Sequence, residues 1–226
     1  MIYIIDTADL DAIRHCNEFY PISGVTTNPS IVSKEKRDFY EIMSDIREII
    51  GEDKMLHIQT VQKTAEGMVK EAELLRDKIG GNLYIKIPIG EEGLKATMEI
   101  KKKDICSVTM TAVFTPAQAL MAAESGADFV APYVNRLDTI LGDGVKVVSD
   151  IVEVFKAQNV TNCKVLAASF KNAEQVHKCA ISGCHSVTIN ADIFKQLIAH
   201  PMTDAAVAGF DKDWKGTYGE NTILDF

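Results

Sequence analysis

The stretch NLYIKIPIG, residues 82–90, decides how this chain is interpreted. β-Branched and aromatic residues dominate it and Gly90 ends it, which is the pattern of a buried strand. Lys86 stands in its middle and shares a face with Tyr84 and Pro88, because side chains alternate along a strand. A buried ammonium is costly unless it is neutral or paired, and a desolvated lysine becomes a nucleophilic amine. An edge strand that turns Lys86 toward water is the alternative.

Strand and helix patterns alternate along the whole chain. Strand patterns cover residues 2–5, 24–27, 55–61, 82–90, 105–113, 129–133, 164–168 and 186–189. Helical patterns lie between them; one is predicted from Ser30 to about Ile50. Strict alternation indicates parallel strands with right-handed crossovers, and eight units suit a closed (β/α)8 TIM barrel. The sequence therefore predicts an α/β protein with a single barrel domain over 1–226, in which 203–226 form a C-terminal helix and tail. A doubly wound open sheet is the alternative, but no G-x-G-x-x-G follows the first strand.

The bulk composition excludes several function classes. The 226 residues are 46% hydrophobic and carry a formal charge of −8, which argues against nucleic-acid or anionic-membrane partners. The start has no basic segment and reaches Asp6 too early for a signal peptide, and no apolar run is long enough for a membrane span. Five cysteines without a C-x-x-C pair indicate reduced thiols, so we expect a cytoplasmic protein.

Polar residues follow the predicted strands at the end where a barrel enzyme has its active site. They are Asp6, Asn28, Gln59, Lys86, Thr111, Tyr133 with Arg136, and Ser169. Each has a plain alternative: a helix cap, a satisfied polar filler, a rim aromatic or a surface ion pair. Lys164 is the rival strand lysine, but it begins its strand and so belongs to the opposite, stabilising face.

Other reaction classes fit these residues less well. The five histidines are scattered, so no metal site is predicted, and only His57 lies where it could face the site. No nucleophile elbow or phosphate loop occurs, and Asp6 is the one inward acid, so a paired-carboxylate glycosidase is excluded. An inward lysine among hydroxyls and amides suits Schiff-base chemistry without a cofactor, with a tyrosine or water moving the proton.

These residues stand in motifs that resemble the small transaldolase family, and within it the fructose-6-phosphate aldolase branch. The motifs are DTAD at 6–9, GVTTNPSIV at 24–32, QT…TAEGMV at 59–69, IKIP at 85–88, TAVFTPAQAL at 111–120, GADFVAPYVNRLD at 126–138, KVLAASFK at 164–171 and HPMTDAAVAGFDKDW at 200–214. No single motif is decisive, but their order over most of the chain is a strong signal.

The resemblance implies a role for each site residue. Lys86 would be the Schiff-base lysine, and Asp6 and Asn28 would hold the hydroxyls of a dihydroxyacetone unit. Gln59, Thr111 and Tyr133 would position a water molecule in the site and relay the proton that the reaction moves. Arg136 and Ser169 would bind the substrate phosphate. The resemblance also implies a homo-oligomer, a decamer of two pentamers, in which Trp214 and Phe226 pack on a neighbour.

Four positions separate the two branches of the family. Gln59, Ala131 and Tyr133 match the aldolase branch, where transaldolases usually have Glu, Ser and Phe. Thr109, which we place with Ala131 among the substrate-binding residues, matches neither branch, and His57 replaces an expected aromatic. A glutamine orients the water without deprotonating it, which leaves Tyr133 to carry the proton.

Three hypotheses follow. The first is a metal-free class I aldolase that reversibly cleaves fructose 6-phosphate to dihydroxyacetone and glyceraldehyde 3-phosphate. The second is a transaldolase of the pentose phosphate pathway that transfers the same unit from fructose 6-phosphate or sedoheptulose 7-phosphate to an aldose phosphate. The third is a sugar-phosphate-binding barrel without turnover.

Overall fold

The eight strands of a computed structural model, which describes all residues 1–226, close into a parallel barrel. In chain order, β1 to β8 are Ile2–Asp6, Ile22–Thr26, Met55–Gln59, Leu83–Pro88, Ser107–Val113, Phe129–Pro132, Lys164–Ala167 and Ser186–Ile189. Each strand pairs with its chain neighbour, and β1 also pairs with β8, so no edge remains. The predicted TIM barrel is confirmed, and an edge position for Lys86 is excluded.

Helices surround the barrel. In chain order, α1 to α11 are Leu10–Phe19, Pro29–Val32, Phe39–Ile50, Ala65–Ile79, Glu91–Lys102, Pro116–Glu124, Val134–Asp138, Gly144–Ala157, Ala173–Ile181, Ala191–Ile198 and Pro201–Tyr218. A short 3-10 turn, Ile223–Asp225, follows in the tail. None of these helices combines the length and apolar character that a bilayer crossing requires.

One predicted helix is two helices. The pattern from Ser30 to Ile50 divides into α2 and α3 because Lys36 takes a positive φ of 52°, which no helix continues through. Asp38 then caps α3 by accepting from the backbone N–H groups of Tyr40 and Glu41. Asn28, rather than Ser30, caps α2, with Pro29 in its first turn.

Two separate apolar clusters hold the fold together. The main core lies between the outward faces of the strands and the helices. A smaller cluster fills the barrel interior near the strand starts: Ile4, Met55, Phe129 and Leu166, with Ile2 and Tyr84 packed against them. This plug closes one end of the barrel, so the inward polar residues gather toward the other end, where the strands finish.

Candidate active site

Lys86 lies on β4 inside the barrel and is 5% exposed. Its Nζ donates a hydrogen bond to the backbone carbonyl oxygen of Thr27 at 2.7 Å. Burial lowers the pKa of the Lys86 amine, and the charge of Asp6 opposes this shift. A desolvated amine with one neutral acceptor is closer to its nucleophilic, uncharged form than a surface lysine.

Asp6 ends β1 as the acidic partner of Lys86. Its Oδ1 accepts from the Thr26 hydroxyl at 2.7 Å, and the Thr26 and Thr188 hydroxyl oxygens are 2.6 Å apart. Burial raises the pKa of the Asp6 carboxyl, while Lys86 and the Thr26 hydrogen bond oppose the shift. The pKa values of the carboxyl and the amine thus move toward each other.

A cavity of about 120 Å³ opens above Lys86 at the strand ends. Its lining consists of Asp6, Thr26, Asn28, Lys86, Ala131, Tyr133, Arg136, Leu166, Ala168, Ser169 and Thr188. Water occupies about 30 Å³ per molecule in the liquid, so the cavity suits a small polar fragment. Arg136 is exposed and marks the side of the cavity that is open to solvent.

Tyr133 stands beside the cavity with hydroxyl, cationic and aromatic neighbours. Its OH lies 3.0 Å from the Thr111 hydroxyl oxygen. The Arg136 guanidinium carbon lies 4.7 Å from the Tyr133 ring centroid, a cation–π contact, and Phe114 meets the ring edge-on. The Tyr133 hydroxyl is therefore held in one place and has a hydroxyl partner with which to exchange a proton.

Two residues at this rim have strained backbone conformations. Ala112 has a φ of 57° at an irregularity in β5, between Thr111 and Val113, and Ser169 has a φ of 62° just after β7. Positive φ is unfavourable for residues with a Cβ and persists where the surrounding fold imposes it. Ala112 follows the predicted site residue Thr111, and Ser169 is itself a predicted site residue.

A second polar group lies beneath the cavity. His57 on β3 is fully buried, its Nδ1 is 2.9 Å from the Thr109 hydroxyl oxygen, and its Nε2 has no partner. Its ring stacks on Tyr84 at a centroid distance of 4.5 Å. Burial, aided by the charge of Lys86, lowers the pKa of His57 well below its usual 6.5, so the imidazole is neutral. No cluster of His, Cys, Asp and Glu side chains suited to a metal ion occurs in the chain.

The sequence pattern of the transaldolase/fructose-6-phosphate aldolase family matches residues 3–221. The chain belongs to this family. A probable fructose-6-phosphate aldolase of Streptococcus pneumoniae (strain ATCC 700669 / Spain 23F-1) is 38% identical over 95% of this chain and 96% of its own. A probable transaldolase of Brevibacillus brevis (strain 47 / JCM 6285 / NBRC 100599) is 42% identical over 95% of this chain and 98% of its own.

Membership of the transaldolase/fructose-6-phosphate aldolase family confirms an enzyme of aldolase or transaldolase type. Among solved structures, a flavocytochrome b2 with bound sulfite superposes with a TM-score of 0.60 at 14% identity, over 84% of this chain and 56% of that one. The FabK of Thermotoga maritima superposes with a TM-score of 0.56 at 16% identity, over 83% of this chain and 57% of that one. At such low identity these two show the shared barrel fold alone.

Seven of the predicted site residues line the cavity: Asp6, Asn28, Lys86, Ala131, Tyr133, Arg136 and Ser169. Gln59, Thr109 and Thr111 do not. Gln59 and Thr109 pair with Lys86 on either side in the sheet, but Gln59 lines neighbouring clefts and Thr109 is sealed inside with His57. Thr111 reaches the site through the Tyr133 hydroxyl. The catalytic and binding roles of these family positions stay predictions.

Two hydroxyls of the cavity lining were missed from the sequence. Thr26 precedes Asn28 by two residues, so strand alternation could have placed it on the same inward face. Thr188 lies inside the short strand SVTI, before the strand end, and its position gave no comparable signal. Their contact with each other crosses the closure of the barrel and is visible only in three dimensions. Lys164 is exposed at the start of β7, as expected of a residue on the opposite face.

Proposed function

We propose that this family member is a class I aldolase that reversibly cleaves fructose 6-phosphate to dihydroxyacetone and glyceraldehyde 3-phosphate. The observation that carries the proposal is the buried Lys86 amine, with its lowered pKa, at the base of a small polar cavity. The relative named a probable fructose-6-phosphate aldolase supports it.

The reaction begins when the neutral Lys86 amine attacks the ketose carbonyl carbon. The resulting carbinolamine loses water to form an iminium, whose positive nitrogen is the electron sink. Asp6, with its raised pKa, takes the proton of the hydroxyl on carbon 4 of the sugar. The oxygen forms the aldehyde carbonyl as the bond between carbons 3 and 4 breaks, and the electron pair of that bond flows into the iminium. Glyceraldehyde 3-phosphate leaves, and an enamine remains on Lys86.

Release of dihydroxyacetone requires that the enamine carbon gain a proton and that water hydrolyse the iminium. The Tyr133 hydroxyl, in contact with Thr111, supplies this proton directly or through water that Gln59 orients. Asn28 binds hydroxyls of the three-carbon unit. Arg136 and Ser169 bind the phosphate near the cavity mouth, where a guanidinium matches phosphate oxygens.

The transaldolase reaction is the second candidate, because the relative named a probable transaldolase is 42% identical. In that reaction the enamine attacks an aldose phosphate acceptor before it is protonated. The two reactions are distinguished by measuring the release of free dihydroxyacetone from fructose 6-phosphate without an acceptor. Turnover that requires erythrose 4-phosphate would reject the aldolase proposal.

Borohydride reduction in the presence of dihydroxyacetone, followed by peptide mapping, tests the Schiff base itself. We expect an adduct on Lys86, and none in Lys86→Ala. Lys164→Ala is the matched control, since it removes the other lysine that stands in a barrel strand, at the exposed opposite end. Absence of an adduct on Lys86 would reject both catalytic functions.

Tyr133→Phe tests the branch assignment. Loss of the hydroxyl slows protonation of the enamine, so the ratio of cleavage to transfer should fall, whereas Tyr40→Phe on α3 should leave it unchanged. An unaltered ratio in Tyr133→Phe would contradict the role given to the hydroxyl.

We also propose that the chain forms a homo-oligomer, with a decamer of two pentamers as the expected assembly. No residue of α11 is buried, and the helix and tail expose large apolar side chains, among them Phe210 at 72%, Leu224 at 95% and Phe226 at 78%. Apolar surface of this extent is normally covered, here by a second copy. Sedimentation of the full chain should give a species that dissociates in Phe210→Glu but not in Leu141→Glu, which changes an apolar residue exposed elsewhere. A monomeric wild type would overturn this.

A cytoplasmic location is part of the same proposal. All five cysteines are free and four are buried, as expected of a protein kept in a reducing compartment. Fractionation of the source cells tests this location. Recovery of the chain outside the soluble cytoplasmic fraction would contradict it.

A further inference from the structure

His57 is a polar side chain in the otherwise apolar plug of the barrel. It is fully buried, and its Cα pairs with Tyr84 on the adjacent strand. Phe129 meets its ring edge-on at a centroid distance of 5.7 Å. Because a buried polar group is costly unless its hydrogen bonds are made, packing alone favours an apolar ring at this position.

The imidazole is held in place but incompletely satisfied. Nδ1 has the Thr109 hydroxyl at 2.9 Å, whereas Nε2 is buried without any partner. Leaving such an atom unpaired costs about 1–3 kcal/mol, and buried polar atoms without a partner are rare in folded proteins. A stability role does not account for His57.

His57 and Thr109 neighbour Lys86 in the register of the barrel. Thr109 is the Cα partner of Lys86 on β5, and Tyr84, which the imidazole stacks on, precedes Lys86 by two residues on the same face. Lys86 is the one charged residue that acts on the pKa of His57. The imidazole therefore stays neutral and presents a dipole, rather than a charge, to its surroundings.

The positive charge of Lys86 also selects the tautomer. A neutral imidazole has one N–H and one lone pair, and near a cation an unpaired lone pair costs less than an unpaired N–H. We assign the hydrogen to Nδ1, which donates to the Thr109 hydroxyl oxygen. The Nε2 lone pair is then left without a donor, and the charge that acts on the imidazole is that of Lys86.

We propose that His57 and Thr109 form a polar floor under Lys86 that stabilises the charged states of its nitrogen, the ammonium before reaction and the iminium after it. His57 is a positioning residue in this scheme, and the inference rests on the proposed Schiff-base function. An ammonium has three N–H donors but an iminium has one, so the iminium depends more on nearby dipoles than on its own hydrogen bonds.

Other groups also face the Lys86 nitrogen, and each must stay intact in the test. They are Asp6 from β1, the Thr27 carbonyl after β2, Tyr133 and Arg136 after β6, and Thr188 from β8. Asp6 is the acidic member of this set, and it acts from the cavity side. Substitutions at His57 and Thr109 therefore alter the floor and leave these other groups intact.

The test compares His57→Phe, Thr109→Val and the double variant with the wild-type chain. Competitive labelling with acetic anhydride over a range of pH, mapped to the Lys86 peptide, reports when the amine becomes neutral and needs no substrate. Without the floor the ammonium is costlier, so we expect the labelling midpoint of the double variant to fall by about half to one pH unit. At a pH well below both midpoints, a midpoint that is lower by one full pH unit corresponds to about tenfold faster labelling of Lys86.

The double variant also guards against loss of folding. It removes both partners of the hydrogen bond, so no orphaned atom remains, and its thermal stability should equal or exceed that of the wild type. Thr109→Ser keeps the hydroxyl and should keep the wild-type midpoint. Thr97→Val removes an equally buried hydroxyl, bonded to the Gly93 carbonyl outside the barrel interior, and should not move the midpoint.

A folded double variant with an unchanged or raised midpoint would overturn the proposal, as would an equal shift in Thr97→Val. Borohydride trapping with dihydroxyacetone is the second readout: the fraction of Lys86 trapped at equilibrium should fall in the double variant. Failure of the wild type to be trapped at all would reject the Schiff-base function, whereas the labelling midpoints would still report on the floor. The two failures are therefore distinguishable.

Discussion

Arg136 provides the sharpest test of the proposed phosphate site. It is exposed, its guanidinium rests over the Tyr133 ring, and no carboxylate lies within ion-pair distance of it. Arg136 and Lys86 are the two basic residues of the cavity lining. Because Lys86 is engaged in the Schiff base, Arg136→Gln removes the cation that remains for the phosphate.

The expected loss of activity in Arg136→Gln follows from the removal of this one cation. A hydrogen bond to a charged group contributes about 1.5–3 kcal/mol, which corresponds to a fall of about 10- to 150-fold in kcat/KM for fructose 6-phosphate. The cation–π contact at this exposed position is worth only about 0.5–1 kcal/mol, so the variant should fold normally.

Initial rates with fructose 6-phosphate and with fructose, which lacks the phosphate, isolate the effect. We expect Arg136→Gln to reduce kcat/KM for the phosphorylated sugar and to leave that for fructose nearly unchanged. Arg136→Lys should fall between wild type and Gln, because it keeps the charge without the planar fork. Arg14→Gln, at an exposed arginine of α1, is the matched control. An equal fall for both sugars would refute the phosphate assignment.

Three further predictions concern the rest of the chain. Arg47, buried at the opposite end of the barrel, donates to the carbonyls of Gly51 and Lys54 at 2.8 Å. Arg47→Met should lower the free energy of unfolding in urea by about 3 kcal/mol without changing KM. An unchanged urea midpoint would contradict this prediction. The folded pKa of His57 is depressed, so the unfolded chain binds more protons and stability is lost as the pH falls below 6.5. The loss cannot exceed about 1.4 kcal/mol per pH unit for one proton. Urea titrations should show it in the wild type and not in His57→Phe, and equal losses in both would refute it. Burial raises the pKa of Cys163 to about 12 and that of Cys106 to about 11. A thiol reagent at pH 8 should therefore label both in the native protein far more slowly than it labels them in the unfolded chain, and equally rapid labelling of the native protein would count against this.

The strand ends show what alternation and composition could predict. The position of Lys86 in an apolar strand, and the polar residue that closes most of the other strands, are properties of the local pattern and needed no tertiary information. The division of the predicted helix after Ser30 was not readable in this way. Periodicity continues through the break, and only the positive φ of Lys36 and the cap at Asp38 separate α2 from α3.

The sequence by itself determined the chemical inventory of this protein: alternating strands and helices, an inward lysine, and family motifs in order over most of the chain. Tertiary structure decided which of these groups meet. Closure of β1 on β8 brings Thr26 to Thr188 and seals Lys86 inside a barrel without edges. It also places His57 against Thr109, which are 52 residues apart in the chain. Local patterns predict the direction of each side chain along its own strand, but barrel closure and register determine its neighbours, and those neighbours set the charge of a buried amine.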